Sequence, residues 1–101
     1  MAIWAYDELL VLLAFYFRYP RPSHTDSHSD CQLLASVLGR SPAAVDHQLR
    51  NIDFDLIRAT ADRHVSRRLS ELLDSHRDNL PHLYRQANEA LERNGWVFPR
   101  F

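Results

Sequence analysis

All twelve basic residues of this chain are arginines. A guanidinium is a planar fork that matches phosphate oxygens and the major-groove edge of guanine, so an all-arginine complement suits nucleic acid. A compositionally biased genome would write the same letters. The formal net charge of −1 provides no global basic field to go with them. The densest basic cluster is Arg63, Arg67 and Arg68, with Arg58 just before it. It is either a solvated helix face partnered by Asp62 and Glu71 or a set of phosphate contacts. A second group with chemical capacity is His24, Asp26, His28 and Asp30, followed by Cys31. These residue types bind zinc and other transition metals. The alternation is not a ligand spacing, however, and only one thiol is present, so we expect a solvated loop with a helix cap at Ser29 or Asp30, no bound metal and no cofactor. Nucleophilic and phosphate-loop motifs are missing, and His47, His64, His76 and His82 are spread over different predicted helices, only His64 and His76 sharing one. We expect no catalysis by this chain.

The segment that would position the arginines for recognition is Leu33 to Ile52, LLASVLGRSPAAVDHQLRNI. Gly39 closes the apolar run Leu33, Leu34, Val37 and Leu38, where a left-handed residue is needed. Ser41 then offers a capping hydroxyl, and Pro42 suits the first helical position. Val45, Leu49 and Ile52 share one face of the second helix. Ala43, Ala44, His47, Gln48, Arg50 and Asn51 fall wholly or partly outside it. A short helix, a Gly-containing turn and a helix with small and polar residues outward form a helix-turn-helix pattern. An ordinary helical hairpin in a small bundle has the same spacing, and fold alone does not decide between them.

The rest of the chain must support that pair. At 101 residues, 46% hydrophobic and 25% charged, it makes one soluble domain with a single core. Two glycines and several apolar runs at helical spacing predict an all-α bundle of four to five helices, with the helix-turn-helix core at 30–52. Ile3 to Phe17 is apolar on nearly all sides, yet shorter than the roughly 18 residues a membrane span needs. It reads as a central helix, with Trp4, Leu9, Leu12, Leu13 and Tyr16 in the core. Pro20 and Pro22 break the pattern before the polar loop. Asp53 to Ala59 reads as a separate short turn of helix with Phe54 and Ile57 inward. Asp62 to His76 places Val65, Leu69, Leu72 and Leu73 on one face. Asn79 caps a last helix with Pro81 in its first turn and Leu80, Leu83, Ala87 and Leu91 inward, ending at Asn94-Gly95. The aromatic tail WVFPRF either folds back on the core or leads into a longer chain. We expect Trp4, Leu12, Val37, Val45, Leu49, Leu69 and Leu83 to be buried. The lone Cys31 suits a reducing cytoplasm.

Trp4 to Pro20, WAYDELLVLLAFYFRYP, resembles the opening of a helical domain found at the N-terminus of many prokaryotic HNH endonuclease-type proteins. Those begin with Trp, two or three polar residues, then Glu-Leu-Leu and an apolar helix ending in Tyr-x-x. The resemblance continues through Leu38, Gly39, Arg40, Ser41, Pro42, Ala44, Val45, Leu49 and Asn51. Gln48 stands where Lys is usual, and the Asp-Pro that follows the Asn in that family is replaced by Ile52-Asp53-Phe54. The similarity covers roughly the first half of the chain, and its Leu-Gly-Arg-Ser core also recurs in unrelated helix-turn-helix and Myb-like proteins. No His-Asn-His nuclease segment is present. The resemblance implies a head that recognises DNA, plain or modified, within a restriction-type system, while a separate nuclease domain cuts.

Two functions from different classes follow. The first is a domain that binds double-stranded DNA, with Ser41 to Asn51 in the major groove, His47 and Arg50 nearest the bases, and Arg40 and Ser41 on the backbone. Ala43, Gln48 and Asn51 complete that surface, and Arg58, Arg67 and Arg68 add phosphate contacts. The second is a protein-interaction or dimerisation module that docks through the first helix and the aromatic tail. Asp46 on the recognition helix counts against the first. The Leu-Gly-Arg-Ser-Pro turn counts for it.

Overall fold

Glu8 starts the central helix and ties it to the rest of the molecule. In the computed structural model, which describes residues 3–57 and 67–101, α1 spans Tyr6–Arg18. The Glu8 carboxylate accepts the Ala5 N–H at 2.8 Å and so satisfies an otherwise unpaired donor of the first turn. Every residue from Glu8 to Phe15 is buried, as an all-round apolar helix requires. Tyr19 and Pro20 end the helix in extended backbone.

A 3₁₀ turn over Arg21–His24 follows, in a stretch expected to be loop. Next come α2 (Ser29–Leu38), α3 (Pro42–Ile57), α4 (Arg67–His76) and α5 (Leu80–Asn94). The described residues contain five α-helices and no strand, the all-α bundle that the sequence predicts. Two boundaries differ from expectation. The cap of α2 is His28, whose Nδ1 accepts the Asp30 N–H at 3.1 Å, and not Ser29 or Asp30. And α3 runs unbroken through Ile57, because nothing between Pro42 and Ile57 interrupts a helix and Asp53 finds partners on neighbouring elements.

Helices α3, α4 and α5 pack around α1, and α2 packs on α3. The largest contact of α1 is with α5, which runs antiparallel to it. Asp7 at the start of α1 accepts hydrogen bonds from Arg93 (2.9 Å) and Asn94 (2.8 Å) at the end of α5. In contrast, α3 runs parallel to α1, since Arg40 reaches Glu8 and Asp53 reaches Tyr16. Leu12, Val45, Leu49, Leu69 and Leu83 are buried as expected. Trp4, Tyr16 and Val37 are only half-buried, packed against the rim of the core. Val65, the Ile57 side chain and the expected first part of the fourth helix lie outside the described residues.

Both glycines end helices in the same way. Gly39 (φ +68°) and Gly95 (φ +65°) adopt the left-handed conformation. In each, the residue after the glycine donates back five residues, Arg40 to the Ala35 carbonyl and Trp96 to the Leu91 carbonyl, both at 2.9 Å. Beyond Gly95 the aromatic tail folds back on the core. Phe98 is buried with its ring centroid 6.2 Å from that of Phe15 and 6.0 Å from that of Tyr19. The Asn88 side chain pairs with both backbone groups of Phe101, accepting its N–H at 2.8 Å and donating to its carbonyl at 3.2 Å.

Candidate nucleic-acid interface

The turn between α2 and α3 forms as its residue types require. The Ser41 Oγ accepts the Ala44 N–H at 3.1 Å, and Pro42 opens the helix. Val45, Leu49 and Ile52 are fully buried and fix the rotation of α3 about its axis. That rotation leaves Ala43, His47 and Arg50 exposed along one outward line, with Ser41 exposed at its start and Gln48 half-buried beside it.

Two acids of this helix, Asp46 and Asp53, have partners on neighbouring elements. Asp46 is buried and accepts the Asp26 backbone N–H at 2.9 Å. It also pairs with Arg50 Nε at 2.7 Å, one helical turn on. Asp46 thus holds one edge of the Arg50 guanidinium through Nε, while 74% of the arginine side chain stays exposed. Asp53 accepts the Tyr16 hydroxyl and a bidentate fork from Arg21, at 2.7 and 2.8 Å. Burial and then the Asp53 carboxylate push the Tyr16 hydroxyl up to about 12, so it stays protonated and donating at any ordinary pH.

Arg40 has partners other than solvent. Its Nε and Nη2 donate to the Glu8 carboxylate at 2.9 and 2.8 Å, and Nη2 also donates to the Ile3 carbonyl at 2.9 Å. The guanidinium lies over the Trp4 ring, 4.4 Å from its centroid. Only 14% of the side chain is exposed. Arg40 is therefore a strut between the helix pair and α1, which its position in the turn sequence does not reveal. Asn51 is likewise buried, and its side-chain amide donates to Gln48 Oε1 at 3.0 Å.

The arginines of α4 stand near the same end of the molecule. Arg68 Nη1 donates to the Trp4 carbonyl at 3.4 Å, and the Trp4 ring in turn carries Arg40. Arg67 is almost fully exposed, 4.0 Å from the similarly solvated Glu71, a pair worth little in water. Arg58 lies outside the described residues. Arg21, which sequence spacing does not single out, joins Arg50 at a small cleft that also contains His24, Asp46 and Asp53. Its pairing with Asp53 spans 32 residues, and no local pattern announces it.

The His/Asp loop forms hydrogen bonds within the fold. His24 Nε2 meets the Tyr19 carbonyl at 3.1 Å, and its ring packs against Phe15 and Tyr16. The Ser23 hydroxyl donates to Asp30, and Asp26 and His28 serve the backbone contacts described above. Among the described residues, no three His, Cys, Asp or Glu side chains converge to hold a metal ion. Cys31 is fully buried, and burial raises its thiol to about 11, which leaves it un-ionised and unreactive. No described helix is long and apolar enough to cross a membrane. No protein-family model, curated protein or solved structure matches this chain.

Proposed function

We propose that this protein is a helix-turn-helix domain that binds double-stranded DNA through α3, without catalysis of its own. The observation that carries this reading is the polarity of α3. Its carboxylates at Asp46 and Asp53 are tied to neighbouring elements, while Ala43, His47 and Arg50 face outward in a line. A helix meant for the major groove needs small and hydrogen-bonding residues outward and its acids withdrawn from phosphate. His47 and Arg50 then lie nearest the bases, with Ala43 and Gln48 beside them. The first turn at Ser41 lies near a phosphate, where the free N–H groups of a helix start favour an anion. Arg67 and Arg68 flank the same end. The likeness of the Leu38–Pro42 turn to HNH endonuclease-type proteins supports a recognition head for plain or modified DNA, partnered by a separate nuclease domain. An interaction module docking through α1 and the aromatic tail has less support, since Glu8 to Phe15 and Phe98 are turned into the core.

The test is titration of labelled duplexes, plain and modified, at two salt concentrations. Arg50→Ala should weaken specific binding by about 1–3 kcal/mol if it contacts a base edge. Arg67→Ala or Arg68→Ala should weaken binding on every sequence and flatten the salt dependence. Wild-type binding by an Arg50→Ala variant on every duplex, with an unchanged salt slope, would refute the role of α3. Absence of any duplex binding by the wild type at low salt would favour the interaction module.

A further inference from the structure

Arg18 and Arg100 come from opposite ends of the chain and meet at one cleft. Arg18 closes α1, where a cation complements the helix C-terminus. Arg100 arrives on the tail, placed there because Phe98 packs on Phe15 and Tyr19, and Phe101 on Tyr19 and Asn88. The cleft, of about 370 Å³, is completed by Tyr19, Pro20 and Asp30. Both arginines are exposed, and neither forms an ion pair or hydrogen bond among the described residues. The one acid present, Asp30, already accepts the Ser23 hydroxyl at 3.0 Å and faces His28 at 3.6 Å. Two cations against one engaged carboxylate leave the cleft net positive on a chain whose overall charge is −1.

Neighbouring residues of the chain link this cleft to one bordered by α3. Pro20 lines it, and the next residue, Arg21, lines the cleft that contains Arg50. We propose that Arg18 and Arg100 form a phosphate-contacting shoulder for the backbone of the duplex bound by α3, with Arg21 linking the shoulder to Arg50. The inference rests on the DNA-binding reading and extends it to a second strand contact that the sequence pattern does not contain. Arg21 and Arg50 are partly offset by Asp53 and Asp46, so the uncompensated pair is the stronger source of counterion release.

The experiment is fluorescence anisotropy with a labelled duplex of two helical turns, from low to physiological salt. It compares wild type, Arg18→Ala/Arg100→Ala, Arg18→Lys/Arg100→Lys and Arg50→Ala. The alanine double should reduce the slope of log K against log salt by about 2, at roughly 0.9 for each phosphate no longer neutralised. Binding should weaken equally on specific and scrambled duplexes, and the lysine double should keep the wild-type slope. Circular dichroism melts should leave both doubles folded, since the two side chains are solvent-facing. An unchanged slope in the alanine double, while Arg50→Ala still weakens binding, would overturn the shoulder and leave the α3 reading intact. An equal weakening in the lysine double would also overturn it, because charge would not be the cause. No duplex binding by the wild type would overturn both.

Discussion

A guanidinium can hold a protein together or stay exposed to solvent, and in this chain the two situations fall on different arginines. Arg40 holds the fold, gripping Glu8 and the Ile3 carbonyl while lying over the Trp4 ring. Arg40→Ala would strand the buried Glu8 carboxylate and should cost about 3 kcal/mol in urea denaturation. Arg40→Lys should recover only a small part, because a point charge cannot reproduce the fork. A stability within experimental error of wild type for Arg40→Ala would show that this residue is no strut. Acidification tests the same contacts. Burial raises the Glu8 carboxyl, but the Arg40 and Ala5 hydrogen bonds outweigh it and hold the group below its ordinary 4.5. Hydrogen bonds from Arg93 and Asn94 lower Asp7 in the same way, against burial. Burial lowers His24 below its ordinary 6.5. All three groups have depressed folded-state values, so each contributes stability above its unfolded pKa that is lost as pH falls through the folded one. The melting temperature should therefore fall in two stages, first through His24 below 6.5, then through Glu8 below 4.5 and Asp7 below 3.8. An NMR titration placing the His24 ring above 6.5 would contradict the first stage. None of these pairings was legible in the sequence: Glu8 and Arg40 stand 32 residues apart, and a turn arginine looks the same whether it faces water or a carboxylate.

The turn between α2 and α3 was legible because its causes are local. Gly39, Ser41 and Pro42 each do what their backbone chemistry dictates within a few residues. A Cβ on Gly39 would meet no atom within 4 Å, so Gly39→Ala isolates the left-handed strain and should cost about 1–2 kcal/mol. Gly39→Asn should cost less, since Asn tolerates that conformation. The apolar stripe of α3 was legible for the same reason, and Val45→Asp, which buries an unpaired charge, should prevent folding. A folded, equally heat-stable Val45→Asp variant would overturn the placing of that face. The length of α3 was not legible. A break at Asp53 looked reasonable until Arg21 and Tyr16 supplied partners that keep the acid, and the helix, in place. Similarly, Asp46 reads as an exposed acid on a recognition helix, and only the fold reveals that it bonds inward to the Asp26 backbone.

Across the molecule, α1 serves as the axis on which both halves of the sequence close. The tail belongs to that closure. Phe98→Ala should cost about 3 kcal/mol and release Phe101 from Asn88, measured as faster amide exchange at Phe101. Unchanged exchange would mean that the Asn88 clamp holds the tail without the Phe98 ring. The same closure brings Arg100 to Arg18 and sets α3 with His47 and Arg50 outward. The proposed DNA binding through α3 depends on that orientation, and the most direct test is a map of amide chemical shifts during titration of the ¹⁵N-labelled protein with a DNA duplex. The largest changes should fall at Ser41, Ala43, His47 and Arg50, with smaller ones at Arg18, Arg21, Arg68 and Arg100. Shifts confined to the outer faces of α4 and α5, or none at low salt, would contradict a duplex seated on α3.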